Sequence, residues 1–255
     1  MITGGIDVGL EYTKAVVMKD GRVVGKAIGL SGGAKRPDTI QQVYDEALKA
    51  AGERSSNVNK VFATGKGKYD VSFANDILAE VTVAVQAAKM TKSEATMVID
   101  VGADEIVVAT MDGEKTKEFV LNQKCAAGLG LFLEKMAERF DMTIDELSAI
   151  EGSLTVAVND GCVVFAELDA LSLANRGTCV KEIGKALNEA CAWRTAATFN
   201  DIYMQAKECV VMIGGLAKNS AFLNALERIT GVKFVIPDDP MFALAIGAAF
   251  LAATS

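Results

Sequence analysis

One short pattern occurs twice in the sequence. Residues 5–9 read Gly-Ile-Asp-Val-Gly, and residues 98–102 read Val-Ile-Asp-Val-Gly. Each copy is followed by a run rich in β-branched residues and then by an Asp-Gly pair, at 20–21 in the first copy and at 112–113 in the second. An Asp-Gly pair between two apolar runs is typical of the tight turn of a β-hairpin. The repeat therefore predicts a fold in which one β-rich unit is built twice.

A second pair of similar segments supports the duplication. Residues 61–68 and 211–218 each read as an apolar strand that runs into a glycine-containing turn. A polar stretch at 89–94 lies between the two copies. We therefore predict an α/β protein with an N-terminal lobe over residues 1–92, a C-terminal lobe over residues 93–255 and a cleft between them. A chain of 255 residues is long enough for two closely joined domains.

The segments between the predicted strands show helical periodicity. Apolar residues at 40, 43, 44, 47, 48 and 51 follow the spacing of one helix face, and Pro37-Asp38 marks the start of that helix. The pattern Thr143-x-x-Glu146 is a capping box and predicts a short helix. Further helices are predicted over residues 75–88, 130–140, 163–175, 180–205 and 220–229.

The composition excludes several classes of site. The chain has no histidine, which rules out Ser-His-Asp and Cys-His nucleophile systems, His-ligated zinc and haem with a proximal histidine. With 26 Lys+Arg against 33 Asp+Glu, the formal net charge is −7. An acidic chain without a basic block binds nucleic acid and anionic membrane surfaces poorly. The chemistry that remains is that of carboxylates, lysine, cysteine and the backbone.

Neither the N-terminal residues nor the apolar runs predict a membrane segment. Residues 1–6 carry no basic stretch of the signal-peptide type, and the longest apolar run, 241–253, is shorter than the ~20 residues that span a bilayer. We therefore expect a cytoplasmic protein. Its five cysteines include no Cys-x-x-Cys pair. In a reducing compartment they are expected to be thiols or metal ligands rather than disulfides.

Both copies of the repeat place an aspartate at the end of a strand, directly before a glycine turn. Asp7 and Asp100 are thus suited to position Mg²⁺, and the backbone N–H groups of the two turns are suited to bind phosphate oxygens. One such turn is common in proteins, but two provide what a phosphate clamp between two lobes needs. A third element, residues 214–219, follows a strand and lets a flat ligand such as adenosine approach the backbone.

Two of the cysteines, Cys125 and Cys162, lie in loops that lead directly into predicted helices. A helix N-terminus stabilises a thiolate, so these two are candidate metal ligands. Cys179, Cys191 and Cys209 lie among apolar or helical residues and are expected to be buried, inert thiols. Because an iron–sulfur cubane typically takes four cysteines, two per chain suffice only when a two-fold dimer doubles them.

The three glycine elements, in this order, resemble those of the actin, hexokinase and Hsp70 class of ATPases. The segments 124–134 and 162–167 resemble the ATP-dependent activators of 2-hydroxyacyl-CoA dehydratases and the ATPase subunits of benzoyl-CoA reductases. The resemblance implies a duplicated actin-like (ribonuclease H-like) ATPase fold with the nucleotide in the cleft. It also implies ATP, Mg²⁺ and one [4Fe–4S] cluster shared between two subunits, with Cys125 and Cys162 as its ligands.

The resemblance further implies an activity and its partners. Such a protein couples ATP hydrolysis to the transfer of a low-potential electron from a ferredoxin- or flavodoxin-type donor to a CoA-ester reductase or dehydratase component. It works as a dimer with a second ATPase subunit, identical or unlike. Asp7 and Asp100 would position Mg²⁺, Asp104 is a further catalytic candidate, and Glu134 would reach the ribose. The other residues expected at the nucleotide are Gly9, Leu10, Glu11, Tyr12, Thr13, Lys14, Gly102, Ala103, Gly128, Gly130, Gly214, Gly215, Ala217 and Asn219.

Both phosphate loops depart from the pattern of that family. Residues 7–11 read Asp-Val-Gly-Leu-Glu instead of Asp-Xaa-Gly-Ser-Thr, and residues 100–105 read Asp-Val-Gly-Ala-Asp-Glu instead of Asp-Xaa-Gly-Gly-Gln-Asp. An acid beside a triphosphate is repulsive unless Mg²⁺ intervenes. These changes favour a benzoyl-CoA reductase-type subunit, with a homodimeric dehydratase activator as the alternative. A small-molecule kinase of the pantothenate-kinase type, with Asp100 or Asp104 as base, is a further alternative.

Overall fold

The computed structural model describes residues 1–122, 129–203 and 209–255. The chain divides into two compact units, each with its own sheet. The first unit comprises Met1–Ser93, Gly113–Thr116 and Met241–Ser255, and the second comprises Glu94–Asp112 and Lys117–Pro240.

Strands and helices alternate in the order expected of an α/β protein. The strands are β1 (Ile2–Val8), β2 (Tyr12–Lys19), β3 (Arg22–Leu30), β4 (Lys60–Thr64), β5 (Asp76–Ile77), β6 (Met97–Val101), β7 (Ile106–Asp112), β8 (Lys115–Leu121), β9 (Val210–Ile213) and β10 (Phe234–Val235). The α-helices are α1 (Arg36–Ala51), α2 (Glu80–Thr91), α3 (Gly130–Arg139), α4 (Ile144–Ser148), α5 (Val163–Asn175), α6 (Val180–Tyr203), α7 (Ser220–Thr230) and α8 (Ala243–Thr254).

The two sheets have the same plan. In the first, the strand order is β3-β2-β1-β4-β5, and in the second it is β8-β7-β6-β9-β10. β1 pairs antiparallel with β2 and parallel with β4, and β6 pairs antiparallel with β7 and parallel with β9. The two copies of the repeat thus form the central strands β1 and β6. The duplication predicted from the repeat is therefore confirmed.

The two Asp-Gly pairs form turns between adjacent strands, as predicted. Asp20 and Gly21 both have positive φ, 48° and 77°, as the tightest hairpin turn requires at both central residues. β2 and β3 pair antiparallel around this turn. Gly113, with φ 61°, lies between β7 and β8, which are neighbours in the second sheet.

The helical predictions agree with the structure at most positions. Helix α1 buries the predicted apolar face, and α4 begins with the predicted capping box, in which Thr143 Oγ1 accepts from the Glu146 N–H at 3.1 Å. The helix predicted over 75–88 is wrong at its start, because residues 76–77 instead form β5 beside β4. In the part of the chain that the structure describes, no helix is both long enough and apolar enough to cross a bilayer.

Helix α8 completes the first unit. It packs on β1, β2 and β4, and also against α2. The approach to β1 is so close that a Cβ at Gly5 would lie 1.9 Å from the carbonyl oxygen of Ala245. The hydroxyl of Thr3 donates a buried hydrogen bond of 2.8 Å to the carbonyl oxygen of Ala249. Glycine at position 5 is therefore a condition for this helix to lie on the sheet.

The C-terminal residues of the chain lie in the first unit. The sequence-based division placed residues 93–255 in one lobe, whereas residues 241–255 belong to the first unit. The physical reason is burial. Val16 and Met18 of β2 form a buried apolar cluster with Ala245 and Ala249 of α8, so the first sheet covers the apolar surface of this helix.

We expect Gly5→Ala to lower the free energy of unfolding by about 3 kcal/mol, because the added methyl group must push the backbone of α8 away from β1. Gly4→Ala on the same strand is the matched control. A Cβ there would lie 3.2 Å from side-chain atoms of Tyr44 and Val61, which can adjust, so we expect a loss of about 1 kcal/mol. Equilibrium unfolding in urea measures both values, and equal losses would contradict the proposed packing constraint.

Candidate functional site

The turn after β1 brings a carboxylate and an ammonium group together. Asp7 and Lys14 lie directly opposite each other in the register of β1 and β2. Their side chains are 6% and 13% exposed, and Lys14 Nζ lies 3.1 Å from Asp7 Oδ2. The pairing balances two charges that would each be costly to bury alone. Strands β1 and β2 thus bring together an acidic and a basic residue of the predicted site.

Ser31 holds the backbone of this turn. The Gly9 N–H donates to the carbonyl oxygen of Tyr12 at 3.0 Å, and the Ser31 hydroxyl donates to the carbonyl oxygen of Gly9 at 2.8 Å. The Ser31 N–H donates to the carbonyl oxygen of Glu11, also at 2.8 Å. Within the described part of the chain, the N–H groups of Leu10 and Glu11 donate no hydrogen bond. Both N–H groups are therefore available as hydrogen-bond donors within this part of the chain.

Two of the residues predicted to bind phosphate in the first loop make hydrogen bonds within the loop itself. The Gly9 N–H is used inside the turn. Thr13 is fully buried, and its hydroxyl lies 3.1 Å from Ser31 Oγ. The Thr13 side chain therefore stabilises the loop through its buried contact with Ser31. Sequence reasoning missed Ser31, because a lone serine at the end of a strand has no distinctive pattern.

The turn after β6 repeats this construction. The Gly102 N–H donates to the carbonyl oxygen of Glu105 at 3.0 Å, as Gly9 does in the first turn. Asp100 is 9% exposed, and its register partner on β7 is Val107. The second copy therefore has the carboxylate but an apolar residue at the position of the lysine. Asp104 lies half-buried in the same turn.

Helix α3 begins on this second turn. The Gly130 N–H donates to the carbonyl oxygen of Gly102 at 3.3 Å, and the Leu131 N–H donates to that of Ala103 at 3.1 Å. A Cβ at Gly130 would lie 3.0 Å from the Gly102 oxygen, so a side chain there would force the helix away. The Ala103 N–H donates no hydrogen bond among the described residues. Glu134 lies half-buried one turn further along α3.

Each aspartate packs against a glycine of the neighbouring parallel strand. Gly65, after β4, and Gly214, after β9, have φ of 90° and 92°. A Cβ at Gly65 would lie 2.6 Å from Asp7 Oδ1, and one at Gly214 would lie 2.5 Å from Asp100 Oδ1. Only glycine fits both the conformation and the space. Sequence reasoning selected Gly214 but not Gly65, although the similarity of 61–68 to 211–218 pointed to it.

The predicted adenosine loop is a glycine pair followed by one turn of 3-10 helix, Gly215–Lys218. Gly215 is exposed, and a Cβ there would have no described atom within 4 Å. The side chain of Asn219, a residue predicted at the nucleotide, is 3% exposed and makes its hydrogen bonds inside the fold. Its Oδ1 accepts from the Phe222 N–H at 2.9 Å, and its Nδ2 donates to Asn188 Oδ1 at 2.8 Å. Ala217 is likewise buried.

Of the two candidate cluster ligands, the structure describes one. Cys125 lies outside the described residues, and so does Gly128. Cys162 is half-buried and directly precedes α5, as predicted. Its N–H donates to Asn159 Oδ1 at 2.7 Å, and the Gly161 N–H donates to the same oxygen at 3.0 Å. Over the described ranges, no three side chains of Cys, Asp or Glu type lie close enough together to hold a metal ion.

The other cysteines fall into two groups. Cys191 and Cys209 are buried, as predicted, and burial raises the pKa of the Cys191 thiol to about 12. This thiol therefore stays protonated at neutral pH. The prediction that Cys179 is buried is wrong, because this residue lies exposed before the first turn of α6.

Comparison with known proteins shows similarity along nearly the whole chain. The model of the BadF/BadG/BcrA/BcrD ATPase family matches residues 5–252. The activator of lactoyl-CoA dehydratase from Anaerotignum propionicum is 30% identical over 258 residues, which cover 99% of this chain and 97% of the relative. A benzoyl-CoA reductase subunit from Thauera aromatica is 30% identical over 97% of this chain and 92% of the relative.

A solved structure extends the similarity to the fold. The activator of the 2-hydroxyisocaproyl-CoA dehydratase from Clostridium difficile, with bound ADPNP, matches with a TM-score of 0.90 at 28% identity. The match covers 99% of this chain and 94% of that one. The predicted duplicated actin-like ATPase fold is therefore confirmed.

Proposed function

Since this chain belongs to the BadF/BadG/BcrA/BcrD ATPase family, we propose that it hydrolyses ATP to drive a low-potential electron into an enzyme that acts on a CoA thioester. The observation that carries the proposal is the repeated aspartate–glycine arrangement. Each unit packs a buried aspartate against a positive-φ glycine at the ends of neighbouring parallel strands. An aspartate beside a backbone turn is suited to a metal–phosphate ligand, and the chain carries two such arrangements.

The residues of both loops fit Mg·ATP. Asp7 and Asp100 would hold Mg²⁺, which when bound neutralises phosphate charge. The N–H groups of Leu10, Glu11 and Ala103 would receive phosphate oxygens, since they are otherwise unused among the described residues. We assign Lys14 a further role: it fixes the orientation of the Asp7 carboxylate through the ion pair.

The cysteine arrangement fits an iron–sulfur cluster shared by two chains. Cys125 and Cys162 of each subunit would supply the four thiolates of a [4Fe–4S] cluster, which when bound supplies one-electron chemistry at low potential. The half-buried position of Cys162 at the start of α5 supports this role. A helix N-terminus stabilises negative charge. A ferredoxin- or flavodoxin-type protein would deliver the electron.

Two assignments of the partner enzyme have separate support. The departures at Leu10-Glu11 and Ala103-Asp104 favour a benzoyl-CoA reductase-type subunit. The similarity to dehydratase activators, one of them at a TM-score of 0.90, favours activation of a 2-hydroxyacyl-CoA dehydratase. An activator of the dehydratase kind works as a homodimer, and a reductase-type subunit pairs with an unlike ATPase chain.

Reconstitution tests the function and separates the two partners. With dithionite-reduced protein and Mg·ATP, we expect electron transfer that starts a dehydratase component or a benzoyl-CoA reductase catalytic component, and that stops when ATP is replaced by ADP. Native mass spectrometry of the purified chain gives its oligomeric state. A homodimer that serves the dehydratase supports the activator, whereas a requirement for an unlike ATPase subunit supports the reductase type. Failure with both components would contradict the proposal.

We expect Asp7→Asn and Asp100→Asn each to lower the rate of Mg·ATP hydrolysis about 100-fold, because each change removes a charge that positions the metal. Asp45→Asn, at an exposed position of α1, is the matched control and should keep the wild-type rate. Steady-state phosphate release measures all three variants. The assignment of both carboxylates fails when neither site variant differs from the control.

The purified protein should be brown and oxygen-sensitive and should contain about four irons per dimer. Cys125→Ser and Cys162→Ser should each abolish the visible absorption, since each removes two of the four ligands from a dimer. Cys179→Ser, at an exposed cysteine, should retain it. Iron and sulfide analysis after anaerobic purification is the measurement, and full iron content in both ligand variants would rule out the assignment.

A further inference from the structure

Arg194 of α6 donates two hydrogen bonds to the loop that precedes Cys162. Its Nε donates to the carbonyl oxygen of Asp160 at 2.7 Å, and its Nη2 donates to the carbonyl oxygen of Asn159 at 2.8 Å. A guanidinium group is a planar fork with fixed donor directions. By holding two successive carbonyl groups, it fixes the orientation of both peptide units.

Asn159, one of the two residues that Arg194 contacts, in turn orients the backbone of Cys162. The Asn159 side chain accepts from the N–H groups of Gly161 and Cys162, and the Asn159 N–H donates to Asp169 Oδ2 of α5 at 2.9 Å. Asn159 thus connects the guanidinium group to the cysteine, since its carbonyl oxygen accepts from Arg194 and its side chain accepts from the Cys162 N–H. Residues 159–161 are exposed, so the described apolar core does not hold them in place.

Arg194 also contacts α3, the first helix after the other candidate ligand, Cys125, in the sequence. The guanidinium carbon lies 5.6 Å from the ring centroid of Phe132 in α3, within the range of a cation–π contact. Phe132 is 3% exposed and belongs to the main apolar core of the second unit. The third guanidinium nitrogen, Nη1, is buried and makes no hydrogen bond within the described ranges. The side chain is therefore anchored to the core on one side and to the loop on the other.

We propose that Arg194 is a positioning residue that fixes loop 159–162, and with it the thiol of Cys162, in the geometry of a metal ligand. This inference rests on the proposed function for the identity of the metal group, but not for the order of the loop. The functional consequence is that the two directed hydrogen bonds of the guanidinium group, and not the positive charge alone, slow the loss of iron from the cluster. Sequence reasoning missed this residue, because an arginine within a helix carries no local signal.

The first experiment needs no cluster. Amide hydrogen exchange is measured by mass spectrometry on the metal-free chain, over peptides that cover residues 158–164. We expect exchange to be about tenfold faster in Arg194→Gln, since two hydrogen bonds from a charged donor are lost. Arg194→Lys keeps the charge but loses the fork, and it should exchange as fast as the Gln variant. Arg228→Gln, which removes an ion pair with Glu189 elsewhere in the second unit, should match the wild type.

The second experiment uses the cluster-loaded dimer. Iron release to a chelator should be faster in both Arg194 variants than in the wild type and in Arg228→Gln. The EPR spectrum of the reduced cluster should change in both, because the ligand geometry changes. Arg194→Gln should also lower the midpoint potential, since a nearby positive charge stabilises the reduced state. The Lys variant should keep a midpoint close to that of the wild type.

The outcomes separate this inference from the function on which it depends. A wild-type chain without a cluster would contradict the proposed function, while the exchange data would still decide the role of Arg194. Wild-type exchange in Arg194→Gln would overturn the positioning role. Wild-type exchange and iron release in Arg194→Lys would overturn the role of the fork and leave only a charge effect. Thermal unfolding by circular dichroism verifies that each variant is folded.

Discussion

The structure depends on a close contact between an aspartate and a glycine at the ends of two adjacent parallel strands. In each sheet, the carboxylate of the central strand fills the space that a Cβ of the neighbouring turn would need. The glycine has a positive φ, so the chain can turn at this position without a side chain that would clash with the carboxylate. Because parallel strands end at the same edge, this contact places an acid, a turn and the backbone N–H groups of that turn at one edge of each sheet.

The two copies are alike in backbone but not in charge. In the first unit, Asp7 is paired with Lys14, and a buried serine braces the turn. In the second unit, Val107 stands at the position of the lysine. There, N–H groups at the start of helix α3 donate hydrogen bonds to the turn. Duplication thus preserved the parts that set the path of the chain. The side chains around them diverged.

Patterns that are local and repeated could be predicted from the sequence. The repeated aspartate turns, the Asp-Gly hairpin and the capping box at Thr143 are all set by residues close together in the chain. Contacts between distant segments left no such signal. Helix α8 is apolar on all sides, so its pattern did not show which sheet would bury it. Ser31 and Asn188 act through hydrogen bonds to groups that are distant in the sequence, and the type of residue alone does not reveal them.

Helix α6 hydrogen-bonds two loops through side chains that are less than two turns apart. Asn188 holds Asn219, where the glycine loop ends, and Arg194 holds the loop before Cys162. At 1.5 Å per residue, these side chains leave the helix about 9 Å apart along its axis. A helix of this kind behaves as a stiff rod over so short a distance. A displacement of α6 along its axis would therefore shift the hydrogen-bonding partners of both loops together.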